Sequence, residues 1–264
     1  MKSAFSAVAA CSLSGIVAIA TLAPMAQIAN AEVTSPVGFV KLTFNAESDT
    51  PFSLPMNRPK VYIGQVDTIS GNTINIANAD FTASELVYAD GSQNEKYYLL
   101  FTTGTLEGRT FDVTANGTNS ITVDQGGDTD VEMLNGDNTD NFEIRPHWTL
   151  GTAFPNGQNL PKTTSFSDIK GLVQFRVEQT GTNIPITVEY TYFDSANDDS
   201  LDGWYLPNSP QSGKKDDVLL SNTTFYIFRN NSITNYSPSI IGDVPLVYFS
   251  NNLRTHVVDN DNYK

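Results

Sequence analysis

The sequence predicts an all-β protein, with a small β-barrel-like N-terminal unit followed by a β-sandwich-like C-terminal unit. Three observations point to this class. Apolar and polar residues alternate with a period of two over many short stretches, as in strands with one buried and one wet face. Helical periodicity is nearly absent. Clusters of Gly, Asn and Asp separate the apolar runs and are typical of turns. We expect few or no helices outside a leader segment.

Residues 1–31 have the features of a secretory signal peptide. Lys2 supplies a positive charge, residues 4–23 carry no ionisable side chain, and Ala29-Asn30-Ala31 is a small-x-small cleavage site before Glu32. We therefore expect the protein to be exported, to the periplasm, the cell surface or the medium. No later apolar segment reaches the ~18 residues that a membrane helix needs, so we predict no transmembrane segment in the mature chain.

The composition excludes several classes of partner and site. The chain has 29 acidic and 15 basic residues and a net charge of −14, which disfavours binding to nucleic acid or to an anionic membrane surface. Its only cysteine, Cys11, lies in the predicted signal peptide, so the mature chain has no disulfide and no thiolate metal site. The two histidines, His147 and His256, are too few for a zinc site with several imidazoles.

The first unit is predicted to span residues 32–147. Alternation from Val40 to Phe44 predicts a strand. The segments 60–69 and 73–77 flank Ser70-Gly71-Asn72, where Gly and Asn tolerate the positive φ of a tight turn, and this predicts a hairpin.

A second hairpin is predicted around Asn116-Gly117, the dipeptide best suited to a type I′ turn. Phe111 and Val113 lead into this turn, and Ile121 and Val123 return from it. Six or more short strands between residues 60 and 145 therefore predict a small barrel, an architecture that leaves few exposed strand edges.

Residues 148–170 are predicted to form a short helical turn, ended by Pro155, and a linker. A second β unit is predicted at 171–264, and we expect it to be incomplete at its C-terminus. Its clearest strand places Tyr190 and Tyr192 on the same face as neighbouring aliphatic residues, which favours core packing. The segments 225–228 and 246–249 are apolar on both faces, so they are either buried on both sides or meet a partner.

A calcium site is one hypothesis for the acidic segment between Tyr192 and Trp204. Asp198, Ser200 and Asp202 stand at alternate positions before Gly203, as in the first half of an EF-hand-like loop. Ser209 stands where a bidentate Glu would complete such a site, and no helices are predicted to flank it. An acidic hairpin loop without an ion is the simpler interpretation. Calcium is the only cofactor that the sequence suggests.

Trp204 and Tyr205 are candidate ligand-binding residues. Flat aromatic faces stack on sugar rings in carbohydrate-binding β modules, and this pair lies next to turn residues. Core packing is the alternative for both rings.

No catalytic residues are predicted. No Gly-x-Ser-x-Gly motif accompanies the two histidines, and His147, between Pro146 and Trp148, is better explained as a packing or capping residue than as a base. Glu178, Glu189 and Asp194 are the least implausible carboxylates for glycoside hydrolysis, but solvated strand faces explain them more simply. We therefore predict that the protein is not an enzyme.

Seven segments of the mature chain form a recognisable set: 34–39, 58–59, 69–74, 114–117, 146–151, 228–230 and 242–245. Together they resemble an uncharacterised family of secreted bacterial all-β proteins. The resemblance covers most of the mature chain, and its segments are specific only as a set. It implies no activity, cofactor or site residue. Members of that family often continue beyond residues 259–262, so the resemblance implies that this chain is a fragment.

The sequence therefore favours an exported, non-enzymatic β protein with a structural, cell-surface or assembly role. Self-assembly is one expected partnership, because an extended segment such as 37–44 could complete the sheet of a neighbouring subunit, although pairing within its own chain is the simpler interpretation. The alternative is an extracellular carbohydrate- or ligand-binding module that binds a surface glycan with the help of calcium.

Overall fold

The computed structural model describes residues 36–89, 92–125, 139–155, 160, 172–178, 185–194, 202–207, 213–221 and 225–246. The predicted signal peptide, the linker after residue 160 and two of the three predicted calcium ligands, Asp198 and Ser200, lie outside these residues.

Strands make up nearly all regular structure in these ranges, which confirms the predicted all-β class. A short helix, α1 (Leu150–Ala153), lies where the helical turn was predicted and begins with a capping box between Thr149 and Thr152. No helix within the described residues has the length and apolar character needed to span a membrane. The strands are β1 (Val37–Lys41), β2 (Ser48–Phe52), β3 (Tyr62–Gln65), β4 (Thr68–Ser70), β5 (Thr73–Asn75), β6 (Tyr97–Phe101), β7 (Thr110–Asn116), β8 (Ser120–Asp124), β9 (Asn141–Pro146), β10 (Trp148–Thr149), β11 (Val173–Glu178), β12 (Pro185–Phe193), β13 (Gly203–Tyr205), β14 (Val218–Leu219), β15 (Tyr226–Asn230) and β16 (Ser239–Asp243).

A curled, antiparallel sheet of seven strands forms a half-barrel in the first half of the chain. Its strand order is β3-β9-β6-β7-β8-β5-β4. The hairpin predicted around Ser70-Gly71-Asn72 is confirmed as β4 and β5, and Gly71 has the positive φ of 59° that this turn requires. Alternate residues of the strands, including Leu99, Phe111 and Ile144, fill the core on one side of the sheet.

The hairpin at Asn116 is confirmed, but the predicted turn is wrong. Asn116 remains in strand β7, and the connection closes one residue later, where the Gly117 amide donates to the Ser120 carbonyl. The Asn116 side chain has a different role: its Oδ1 accepts from the Leu86 amide at 3.0 Å and its Nδ2 donates to the Thr82 carbonyl at 2.9 Å. These tertiary bonds hold Asn116 in the strand and outweigh its preference for the turn.

The other strands form a five-stranded sheet with the order β13-β12-β11-β15-β2 and a two-stranded ribbon of β1 and β16. The first two strands pair with the last two: β2 pairs with β15, and β1 pairs with β16. The predicted boundaries grouped residues 32–147 in one unit. In the structure, the pairings of β1 and β2 place residues 37–52 with the last strands of the chain.

An aromatic core lies beneath the five-stranded sheet. Phe44 stacks on Phe228 with ring centroids 4.0 Å apart, and Phe52, Phe154 and Tyr236 surround this pair. The core packing predicted for Tyr190 and Tyr192 is confirmed, because both belong to this cluster. Phe228 faces this core, whereas its neighbours Phe225 and Ile227 are exposed.

Candidate functional site

The predicted calcium ligands are only partly within the described residues. Asp202 precedes β13 and is half-buried, whereas Asp198 and Ser200 lie outside the described ranges. Where the structure describes the chain, no three His, Asp or Glu side chains come together as a group that could hold a metal ion.

Trp204 and Tyr205 do not present open ring faces. Trp204 is only 2% exposed and packs edge-on against Tyr192, with ring centroids 5.5 Å apart, and against Phe154 at 5.9 Å. Tyr205 is 8% exposed and packs against Phe193. The physical reason is strand pairing, since Trp204 lies opposite Tyr192 and so shares its core-facing side. Neither ring offers a surface on which a sugar could stack, and core packing is the interpretation that fits.

A buried ionic cluster lies on the opposite face of the half-barrel from its core. We call it the Arg145 cluster and define it as Asn57, Tyr98, Glu143, Arg145 and Asp243. Alternation along β9 puts Glu143 and Arg145 on this face, because Phe142 and Ile144 fill the core. Strand register places Tyr98 of β6 directly opposite Arg145.

The Arg145 guanidinium is held by two carboxylates and one carbonyl. It donates to Asp243 Oδ2 at 2.8 Å, to Glu143 Oε2 at 2.8 Å and to the Arg58 carbonyl at 2.7 Å. Burial alone lowers the pKa of Arg145, but its bonds to Asp243 and Glu143 outweigh that effect and raise the pKa overall. Glu143 is also 3.3 Å from Lys60 Nζ. The two cations, Arg145 and Lys60, therefore balance the two carboxylates, Glu143 and Asp243.

Two further contacts surround Arg145. Asn57 exchanges backbone hydrogen bonds with Asp243 at 2.8 and 3.0 Å, and its side-chain oxygen accepts from Ser221 at 3.3 Å. Burial raises the pKa of the Tyr98 hydroxyl, although the nearby Arg145 charge lowers it in part.

His147 lies beside the cluster and not in an open cleft. Its Nε2 is 2.8 Å from Asp112 Oδ1, and its ring packs against Tyr98 with centroids 4.6 Å apart. Its backbone amide donates to the Lys96 carbonyl. These contacts support the predicted packing role of His147.

The Arg145 cluster joins the half-barrel to the ribbon, because Asp243 belongs to β16 and Arg145 to β9. Arg145 binds Glu143 and Asp243 directly, and the Asp243 backbone binds that of Asn57, so the arrangement is suited to holding two strands together. Sequence reasoning did not identify it. Glu143 and Arg145, at alternate positions of an apolar strand, were a local indication of buried charge. Asp243 is 98 residues from Arg145, so their pairing could not be identified from neighbouring residues.

Gly242 is required where the ribbon meets Asn57. A Cβ at this position would overlap the Asn57 carbonyl oxygen, which is backbone and cannot rotate away. We expect Gly242→Ala to destabilise the protein by about 1–3 kcal/mol, since one added carbon must push Asn57 off β16. Urea unfolding measures this change. Gly213→Ala is the matched control, because a Cβ there meets open space, and an equal effect of the two substitutions would contradict the assigned close approach.

The outer side of the ribbon is apolar and exposed. We call Val37, Phe39 and Ile241 the ribbon face; they are 70%, 72% and 62% exposed. Phe39 lies directly opposite Ile241 in the β1–β16 register, and Leu246, just beyond β16, is also exposed. Large apolar side chains that cluster at the surface mark sites of protein contact more often than isolated ones do.

The inner side of the ribbon is firmly attached to the rest of the protein. Val40 and Ile240 face inward, and Ile240 belongs to the aromatic core cluster. Asp243 is fixed by Arg145 and Asn57 as described above. The ribbon face is thus a fixed surface, because Ile240 packs into the core behind it and Asp243 anchors one end of β16. No family model, curated protein or solved structure matches this chain.

Proposed function

We propose that the protein is an exported, non-enzymatic β protein with a structural role, and that it acts by self-assembly through the ribbon face. The observation that carries this proposal is the exposure of Val37, Phe39 and Ile241 on one side of a rigidly held ribbon. Export is supported by the signal-peptide features of residues 1–31.

Contact between the apolar side chains of two ribbon faces supplies part of the driving force for assembly. Removing apolar surface from water is favourable in proportion to its area, at ~25 cal/mol per Å². Aromatic residues near the centre of an interface contribute the most, and Phe39 has this position between Val37 and Ile241. Because the ribbon is fixed from behind, little ordering entropy is lost when the face is covered.

A second copy of the chain is the occupant that we favour. Closed two-fold dimers are the commonest assemblies of identical chains, and they use the same patch on both copies. The net charge of −14 opposes this association, because two copies repel each other. Salt screens such repulsion over ~8–10 Å at physiological ionic strength, so association should strengthen as salt is added.

Phe39→Ser is expected to weaken self-association at least about tenfold, because it removes the largest apolar side chain from the ribbon face. Light scattering coupled to size-exclusion chromatography, over a concentration series, gives the mass in solution. The wild-type chain should reach twice the monomer mass, and Phe39→Ser should remain monomeric at the same concentration.

Ile233→Ser is the matched control, since Ile233 is 84% exposed but lies outside the ribbon. It should dimerise like the wild type. A wild-type chain that stays monomeric at every concentration and salt, or equal weakening by both substitutions, would refute self-assembly through this face.

A further inference from the structure

The outer edge of β1 carries backbone groups that point away from the protein. The Leu42 amide donates to the Pro238 carbonyl, and the Val244 amide donates to the Pro36 carbonyl. In an antiparallel pair, bonded residues alternate along each strand. The bonds of Gly38 and Val40 therefore point toward β16, and the amides and carbonyls of Val37, Phe39 and Lys41 point to the opposite edge.

Within the described residues, β1 pairs with β16 alone, so no described strand covers this edge. Other sheet edges in these ranges are poorer templates. Strands β3, β4, β10, β13 and β14 have four residues or fewer, and β2 contains Pro51, which lacks an amide hydrogen. The outer edge of β16 is partly occupied, because Asp243 exchanges backbone hydrogen bonds with Asn57. The edge of β1 combines five residues, no proline and an apolar face.

We infer that the occupant of this edge is β1 of a second copy, paired antiparallel about a two-fold axis that passes through Phe39. This inference rests on the proposed self-assembly and specifies its geometry. The axis pairs Val37 of one copy with Lys41 of the other and Phe39 with Phe39. In this register, every outward amide and carbonyl of the three residues finds a partner.

The same register brings the two ribbon faces together side by side. Phe39 lies opposite Ile241 within one copy. Pairing Phe39 with its symmetry mate therefore places Ile241, Phe39, Phe39 and Ile241 in one row across four strands. Directly opposed side chains in a sheet contact each other, and aromatic pairs are favourable. Two marginal two-stranded ribbons become one four-stranded sheet.

Disulfide trapping tests the register. Two variants, Val37→Cys and Lys41→Cys, are made in a Cys11→Ser background, because Cys11 is the only other cysteine. Opposed residues in a bonded antiparallel pair have Cα atoms ~5.5 Å apart, which a disulfide can span. Two copies of residue 41, or two of residue 37, lie about 13 Å apart, which a disulfide cannot span.

The mixture of the two variants should form a covalent dimer at least about tenfold faster than either variant alone. Lys41→Pro provides a second test, since it removes an outward amide but none of the β1–β16 bonds. It should abolish the dimer, whereas the control Lys41→Thr should keep it. Circular dichroism verifies that both variants are folded. If Lys41→Pro does not fold, the disulfide experiment alone tests edge pairing in this register.

The outcomes separate the inference from the proposed function. If the wild-type chain dimerises, but the mixed cysteine variants cross-link no faster than each alone, edge pairing in this register is overturned and assembly stands. A dimer that persists in folded Lys41→Pro would also overturn edge pairing in this register and leave assembly standing. If the wild-type chain is monomeric, both the proposed function and this inference fall.

Discussion

Arg145→Ala is expected to lower the free energy of unfolding by about 3–5 kcal/mol, the range for breaking a buried ion pair by removal of one partner. The substitution leaves Asp243 buried with no cation, and Glu143 keeps only Lys60 at 3.3 Å. The cost arises from the uncompensated carboxylate and not from the lost attraction alone. Urea unfolding, followed by tyrosine and tryptophan fluorescence, measures this change.

Arg229→Ala is the matched control for this prediction. Arg229 also pairs with an aspartate across two strands, Asp49 at 3.1 Å, but these two side chains are 34% and 52% exposed, against 5% and 6% for Arg145 and Asp243. Exposed pairs contribute ~0–1 kcal/mol, so this change should be small. Equal losses for Arg145→Ala and Arg229→Ala would contradict the assignment of the Arg145 cluster as a structural connection.

Phe228→Ala is expected to cost about 3–5 kcal/mol as well, because it removes a fully buried ring from the aromatic core. The ring stacks on Phe44 at 4.0 Å and contacts Phe154 and Tyr236 at 5.8 and 5.4 Å. The surrounding rings are rigid and cannot collapse into the space that it leaves. Thermal and urea unfolding should agree on the loss.

Phe225→Ala provides the comparison three residues earlier in the chain. Phe225 is 79% exposed, so its truncation should change the free energy of unfolding by less than ~0.5 kcal/mol. Similar costs at the two positions would show that the chain does not bury residue 228 in preference to residue 225.

Local patterns in the sequence predicted the strands well. Alternation identified the core-facing Tyr190 and Tyr192, and a turn with Gly71 identified the β4–β5 hairpin. These features depend on neighbouring residues only. Alternation of apolar and polar residues indicates which face of a strand is buried, whichever strands pair with it.

Long-range pairing could not be predicted in the same way. Nothing near Val37 specifies Asp243 as its partner, and nothing near Asp49 specifies Arg229. Register is fixed by tertiary packing and by groups far apart in sequence. The same limit explains Asn116, whose side chain binds Thr82 and Leu86 and remains in the strand.

In the candidate sites, too, local patterns were predictable from the sequence and long-range pairings were not. The sequence identified Trp204 as a ring that could bind a ligand or fill a core, but only its pairing opposite Tyr192 decides between these roles. Pairing within its own chain was the simpler interpretation of the segment 37–44, and completing a neighbouring subunit's sheet was the alternative. In the structure, β1 pairs with β16 of the same chain. Its residues Val37 and Phe39 are exposed on the ribbon, although exposure of these side chains could not be derived without the β16 register.

Amide hydrogen exchange at residue resolution directly measures whether two copies pair through β1. The amides of Phe39 and Lys41 point outward, whereas that of Val40 is bonded to β16. We predict that protection of Phe39 and Lys41 rises with protein concentration, as dimers form, while protection of Val40 stays constant. Exchange at Phe39 and Lys41 that does not depend on concentration would contradict the account.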